Sequence, residues 1–345
     1  MGFAKKSLSA VLALVMTAGL GACTVGGGTS WVAKSGDMTV PAGVYIGGLM
    51  NAYYTETAKV AQDVKNPLKE QVDGVSVSQK ISEEAKKSLG QYLAVEKKFD
   101  EMGLSLDEAT GTAVSQNVES YWQYIGESYQ ENGISKESYA ELFTNDAKKS
   151  QIFMAIYGEG GSEEVPEAEL KEKFANDFAK IIMIPINFSS SEDPAQKEED
   201  TKKARELIDK YEKLAKDGGN MEDLAFEARK EVASDPSSVT KPEPGTSYTF
   251  VSRDQSSYEE QVTEAIFNAK IGEPTRVETE SSIYLFVRYD VTENEADFTS
   301  RKSTLISLLR NDAFNSKLDE WANALADVTY NEDALKRYTP EKLKI

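Results

Sequence analysis

"FAKIIMIPINF", residues 178–188, packs Ile181, Ile182, Met183, Ile184 and Ile186 into one run between two strongly charged stretches. A short apolar run rich in β-branched side chains, bounded by polar segments, reads as a strand rather than an amphipathic helix. Pro185 has no N–H to give to a ladder, so it predicts an irregularity or an edge on one side of that strand.

The stretches that follow supply partners for it. Ala204, Leu207, Ile208, Tyr211, Leu214 and Ala215 form one apolar helical face, ended by Gly218 and Gly219, and a second helix fits 221–232. Pro236, Pro242, Pro244 and Gly245 mark a long loop. A strand near Phe250, a helix from Tyr258 to Ala269 closed by Gly272, and the strands "TRVET" and "IYLFVRYD" complete the order β, α, α, β, α, β, β. That order predicts a small α+β domain over 176–293.

Helices surround it in sequence. A short strand or turn from Trp31 leads to Pro41, which suits the start of a helix, and residues 78–102, 113–131 and 135–157 each carry an apolar face at helical spacing, with Gly103 as a stop. Pro166 opens a further short helix whose first turn is acidic. Phe298 through Leu325 reads as one amphipathic helix, with Leu305, Leu309, Leu318, Trp321 and Leu325 on one side. The fold class is therefore α+β: a helical lobe over 31–175, the inserted domain, and a returning helical segment over 294–345. The aromatic stripe carrying Tyr121 and Trp122 fits either a packed core or a groove for unfolded peptide.

The amino-terminal residues follow a different logic. Lys5 and Lys6 precede an apolar stretch from Leu8 to Leu20 that ends in "LGAC", which is the build of a secretory leader over residues 1–22. "LGAC" resembles the bacterial lipobox, which implies a diacylglycerol on the Cys23 thiol. The mature chain is then expected outside the cytoplasm, attached to a membrane by lipid alone, with residues 23–30 as a glycine-rich tether. Cys23 is the sole cysteine, so neither a disulfide nor thiolate chemistry is expected.

Composition removes whole classes of function. The chain of 345 residues carries 39 Lys and Arg against 58 Asp and Glu, a net charge of −19, and loss of Lys5 and Lys6 with the leader makes it more negative still. Such a surface repels phosphate backbones, so nucleic acid is not an expected partner. The absence of histidine excludes Ser-His-Asp and Cys-His nucleophiles and HExxH zinc sites. Ser238 and Lys241 have S-x-x-K spacing but lie in a loop without the companion motifs. The acidic runs 189–200 and 290–297 lack the calcium-loop pattern and read as solvated connectors, so no metal and no cofactor are expected.

Three longer stretches carry a family resemblance. Residues 134–177 look like a junction into an inserted domain, "NMEDLAFEARKEVASDP" resembles a "dFaeLA…S.D" segment, and "VTEAIFNAKIGEPTRVET" is similar to "FedAaf.L..GeiS.PVeT". The chain thereby resembles the extracytoplasmic foldases related to PrsA and SurA, whose insert is a parvulin-type peptidyl-prolyl isomerase domain.

The resemblance implies unfolded or newly exported polypeptides as partners. Active parvulins of this kind place one histidine in the first strand and one in the last; those positions fall here on Ile181 and Tyr284. The residues that line the proline cup fall on Tyr258 and Val262, and the family's Gly-Gly-Asp-Leu-Gly stretch is replaced by something like "KPEPGTSYTFV".

Two functions follow: a foldase or holdase that binds clients without chemistry, and an isomerase in which Tyr284 and Tyr258 take over the polarising role. A solute-binding lipoprotein would need alternating βαβ units in two lobes, where the sequence shows helices first and a single small sheet. Pairing of the long helices in a homodimer is compatible with the sequence.

Overall fold

The computed structural model describes residues 28–61 and 63–345; the leader and Cys23 lie outside them. In chain order the elements are β1 Trp31–Ser35, β2 Met38–Pro41, α1 Ala42–Thr57, β3 Gln71–Val72, β4 Val75–Ser76, α2 Val77–Glu101, α3 Glu108–Glu131, α4 Lys136–Tyr157 and α5 Glu167–Asp177. They continue as β5 Phe178–Asn187, α6 Pro194–Lys216, α7 Met221–Val232, β6 Thr249–Ser252, α8 Glu260–Asn268, β7 Pro274–Glu278, β8 Ser282–Tyr289, α9 Glu295–Thr299, α10 Lys302–Asn323, β9 Val328–Tyr330 and α11 Glu332–Arg337. The chain forms two compact units, one running to Ser150 and resuming at Leu318–Ile345, the other Gln151–Lys317. The boundaries fall within α4 and α10.

The first unit is built on α1, which buries Val44, Tyr45, Ile46, Leu49 and Met50 and leaves Asn51, Tyr54 and Thr55 exposed in its last turns. Val77, Ile81, Ala85, Leu89 and Leu93 of α2, spaced by four, pack on it. Ser76 starts α2 by accepting the Gln79 N–H, and Asp107 starts α3 by accepting that of Thr110 at 2.7 Å. Gly43 and Gly47 let α4 approach closely: a Cβ on them would lie 2.6 Å from Ser138 Oγ and 2.7 Å from Leu142 Cδ1.

Strands also occur in this unit, beyond the short strand or turn that the sequence suggests before Pro41. β1 and β2 form a hairpin, β9 pairs antiparallel with β1, and β3 and β4 form a two-residue ladder. The expectation of one sheet is thus corrected to three among the described residues.

The second unit holds a four-stranded antiparallel sheet of order β6-β5-β8-β7. α6 and α7 cover one face through Ile208, Tyr211, Met221 and Ala225 over Ile182, Ile184 and Ile186. α8 covers the other, setting Val262, Ile266 and Phe267 against Ile181, Val251 and Phe286. Coverage on both faces explains why β5 reads as a continuous apolar run instead of alternating.

Pro185 is accommodated by register. The Arg253 N–H donates to the Asp177 carbonyl at 2.8 Å, so odd-numbered residues turn their main chain toward β6. Phe188 donates to Ser281 on the β8 side at 2.7 Å, so even-numbered ones turn the other way. β6 pairs with Phe178–Ile181 alone, and beyond that Met183, Pro185 and Asn187 face an open edge where a missing N–H costs no ladder bond.

The expected single helix from Phe298 to Leu325 is two helices. α9 ends at Thr299, and Arg301 turns back to donate to the Asp297 carbonyl at 2.9 Å while its guanidinium lies 3.3 Å from the Phe250 ring centre. The apolar spacing continues through this break because it depends on what each helix packs against, whereas the break depends on one tertiary contact.

Candidate functional site

The positions that correspond to the parvulin site lie on the α8 face of the sheet. Alternation along β5 and β8 places Ile181, Met183, Tyr284 and Phe286 on that face together with Tyr258 and Val262. Tyr258 is held just before α8 by a turn: its N–H donates to Ser256 Oγ at 3.2 Å, and Ser256 Oγ hydrogen-bonds Thr263 Oγ1 at 2.6 Å. Its ring meets that of Tyr284 edge to face, with centroids 6.1 Å apart and planes at 85°. Burial, and then the neighbouring Tyr284, push the Tyr258 phenol above its ordinary pKa, so the Tyr258 hydroxyl stays a protonated donor at neutral pH.

Ile181 and Val262 have no exposed surface. Ile181 therefore offers neither a polar group nor contact area where an active parvulin has its first histidine. Val262, read from sequence as a binding residue, packs beneath the surface and supports α8. The half-buried Tyr258 and Tyr284 are the site positions that reach solvent.

A cleft of about 400 Å³ opens beside this pair, between the free half of β5, α7 and the segment leading into β6. Met183, Pro185, Val232, Ser247, Thr249 and Tyr258 line it, and Arg229 stands at its exposed side. Of these, sequence reading singled out Tyr258 and noted Pro185. Arg229 and Val232 carry no motif and join the cleft only because α7 lies next to the β5 edge.

At the other end of β5, Lys180 reaches Asp297 at 2.8 Å and lies 4.2 Å from the centre of the Tyr248 ring. This buried ion pair ties the first strand to α9 and has no signal in sequence, since its partners lie far apart in the chain. Among the described residues no group of His, Cys, Asp and Glu is arranged to hold a metal ion.

Tyr121 and Trp122 belong to the first unit. Trp122 clusters with Tyr129 and Tyr139, at 6.3 and 5.5 Å, over Gly126, where a Cβ would lie 2.8 Å from the indole. Tyr121 touches Phe143 at 6.0 Å and is 54% exposed, and Tyr124 one turn on is 86% exposed. The stripe is thus packed on one side and exposed on the other.

The geometry of the second unit defines a class: a four-stranded antiparallel sheet with two helices on one face, a short helix on the other, and a cleft along the free half of β5. Residues 167–294 match the family model of the PPIC-type PPIase domain, and the chain carries this parvulin domain. The match leaves the residues on either side of it unassigned. Solved structures similar to the chain include the foldase PrsA from Streptococcus pneumoniae, at 16% identity over 77% of this chain and 96% of that one, with a TM-score of 0.41. PrsA from Bacillus subtilis aligns at 18% identity over 80% and 98%, with a TM-score of 0.34. PrsA from Lactococcus lactis does so at 14% over 90% and 99%, with a TM-score of 0.38. No curated protein matches the sequence.

Proposed function

We propose that this chain is a lipid-anchored extracytoplasmic foldase that binds unfolded, newly exported polypeptides, and that its parvulin domain serves binding rather than catalysis. The observation that carries this reading is the α8 face itself: an apolar layer with two phenols in edge-to-face contact, in a chain without histidine. Rotation about an X-Pro bond must cross about 18–20 kcal/mol, and lowering that barrier takes polar groups placed where the twisted amide develops charge. Ile181 supplies none, and the cleft that Met183, Val232 and Tyr258 help to line suits capture of exposed apolar segments.

The deciding experiment compares two rates with purified protein. Aggregation of a reduced, unfolded client is expected to slow in proportion to added chain, while cis/trans exchange of an Ala-Pro peptide stays at its uncatalysed rate. The edge-to-face pair favours one other reading, an isomerase that uses the Tyr284 and Tyr258 hydroxyls. Accelerated exchange that Tyr284→Phe abolishes would replace the binding reading with that one. The anchor is tested separately: Cys23→Ala is expected to release the protein from the membrane fraction and to remove incorporation of labelled fatty acid.

A further inference from the structure

We propose that the open half of β5 is a docking edge for an extended polypeptide segment, which continues the sheet where β6 stops, seats apolar side chains in the cleft beside Tyr258, and sets an acidic side chain against Arg229. The proposal rests on the client-binding reading and names how a client is held.

The main-chain pattern carries it. Between Ile182 and Asn187, a length of about 20 Å at strand rise, β5 is paired with β8 on one side and with nothing among the described residues on the other. The N–H groups of Met183 and Asn187 and the carbonyls of Met183, Pro185 and Asn187 point to that side. Met183 is half-buried, and Pro185 and Asn187 are exposed, so the row is open to an incoming strand. Unpaired donors and acceptors of this kind are templates for strand addition, in which main-chain bonds supply affinity and alternate side chains supply selection.

The cleft decides which side chains fit. Met183, Val232 and Tyr258 beside the edge suit apolar residues at every second position of the incoming segment. Arg229 makes no ion pair among the described residues and stands at the exposed side of the cleft, which favours a carboxylate on the bound segment. A second copy of the chain is a poor occupant, because two molecules of net charge −19 repel. Pro185 withholds one donor from the middle of the row, which weakens indiscriminate pairing without closing the edge.

The test uses the full-length chain in detergent and a fluorescein-labelled, amidated hexapeptide of valine alternating with threonine and glutamate, followed by anisotropy. Binding is expected to be saturable, and N-methylation of one alternate set of peptide nitrogens lowers affinity about tenfold or more, the loss of two or so main-chain bonds, while methylation of the other set changes it less than about twofold. Pro185→Ala restores a donor and is expected to raise affinity several-fold; Arg229→Glu is expected to lower it for the glutamate peptide and not for a glutamine analogue. Bound peptide should slow hydrogen exchange at Met183 and Asn187.

Equal tolerance of N-methylation at both sets, protection confined to residues outside 182–187, or a concentration-dependent dimer that the peptide dissociates would each overturn the proposal. If the chain still suppresses client aggregation in those cases, the foldase reading stands and only this edge falls. Absence of both peptide binding and client protection would remove both.

Discussion

Tyr258 and Tyr284 meet edge to face across the α8 side of the sheet, 6.1 Å between ring centres, directly over the buried Ile181 layer. The pair joins a residue that precedes a helix to one in the middle of a strand, and both residues are half-buried. Tyr284→Phe keeps the ring contact and is expected to leave the denaturation midpoint and client protection nearly unchanged. Tyr284→Ala removes the contact and is expected to cost about 0.5–1.5 kcal/mol beyond lost area and to weaken client protection. Urea titration of the two variants beside an aggregation assay separates the ring from the hydroxyl.

The Lys180 to Asp297 pair allows a sharper test of what ties the parvulin sheet to α9. Their side chains are 9% and 19% exposed, so removing one partner strands the other away from water. Asp297→Ala is expected to destabilise by about 3–5 kcal/mol. Combining it with Lys180→Met should recover most of that loss, because an apolar chain can fill the space under Tyr248 without a charge to satisfy. A double variant as unstable as the single one would show that Asp297 acts through α9 capping or packing instead.

Gly43 and Gly47 lie on the same side of α1 and differ in what a methyl group would meet. At Gly43 the obstacle is the buried Ser138, whose Cβ would be 2.7 Å away and cannot move without its backbone. At Gly47 it is the tip of Leu142, which can rotate. Gly43→Ala is expected to lose about 1–3 kcal/mol to overpacking, more than the roughly 1 kcal/mol that alanine returns in helix propensity. Gly47→Ala should be close to neutral, and Ser138→Gly should rescue the Gly43 variant in thermal melts.

Legibility in the sequence followed the range of the interaction responsible. α2 and α8 could be read because burial writes a local period and β5 because burial on both faces writes a continuous apolar run, and Pro185 announced an irregularity or an edge because a missing donor constrains one strand alone. β9 could not be read: three residues hold no period, and their partner β1 lies at the other end of the chain. The break between α9 and α10 was hidden for the same reason, since Arg301 leaves the helix for Phe250. At the site, Tyr258 and Tyr284 were found through family resemblance, whereas the depth of Ile181 and Val262, and the place of Arg229 and Val232 at the cleft, needed the packed sheet.

Glu141 on α4 gives the first unit a dependence on pH near neutrality. It is half-buried, and its neighbour Lys148 is committed to Glu96, which also accepts from Asn145 Nδ2 at 2.8 Å. Burial first, then repulsion from Glu96 and Glu137, push the Glu141 carboxyl up to about 7, with Lys148 opposing in part. A raised pKa means that the folded state holds the proton more tightly than the unfolded chain, whose carboxyl titrates at the ordinary value of 4.5. The stabilisation is therefore fully present below about pH 4.5 and is lost as pH rises through about 7. Glu141→Gln mimics the protonated form at every pH. Its melting temperature is expected to match the parent at low pH, to exceed it increasingly from about pH 4.5 to 7, and to run parallel above that. A constant offset across the whole range would mean that Glu141 is as solvated in the folded protein as in the unfolded chain.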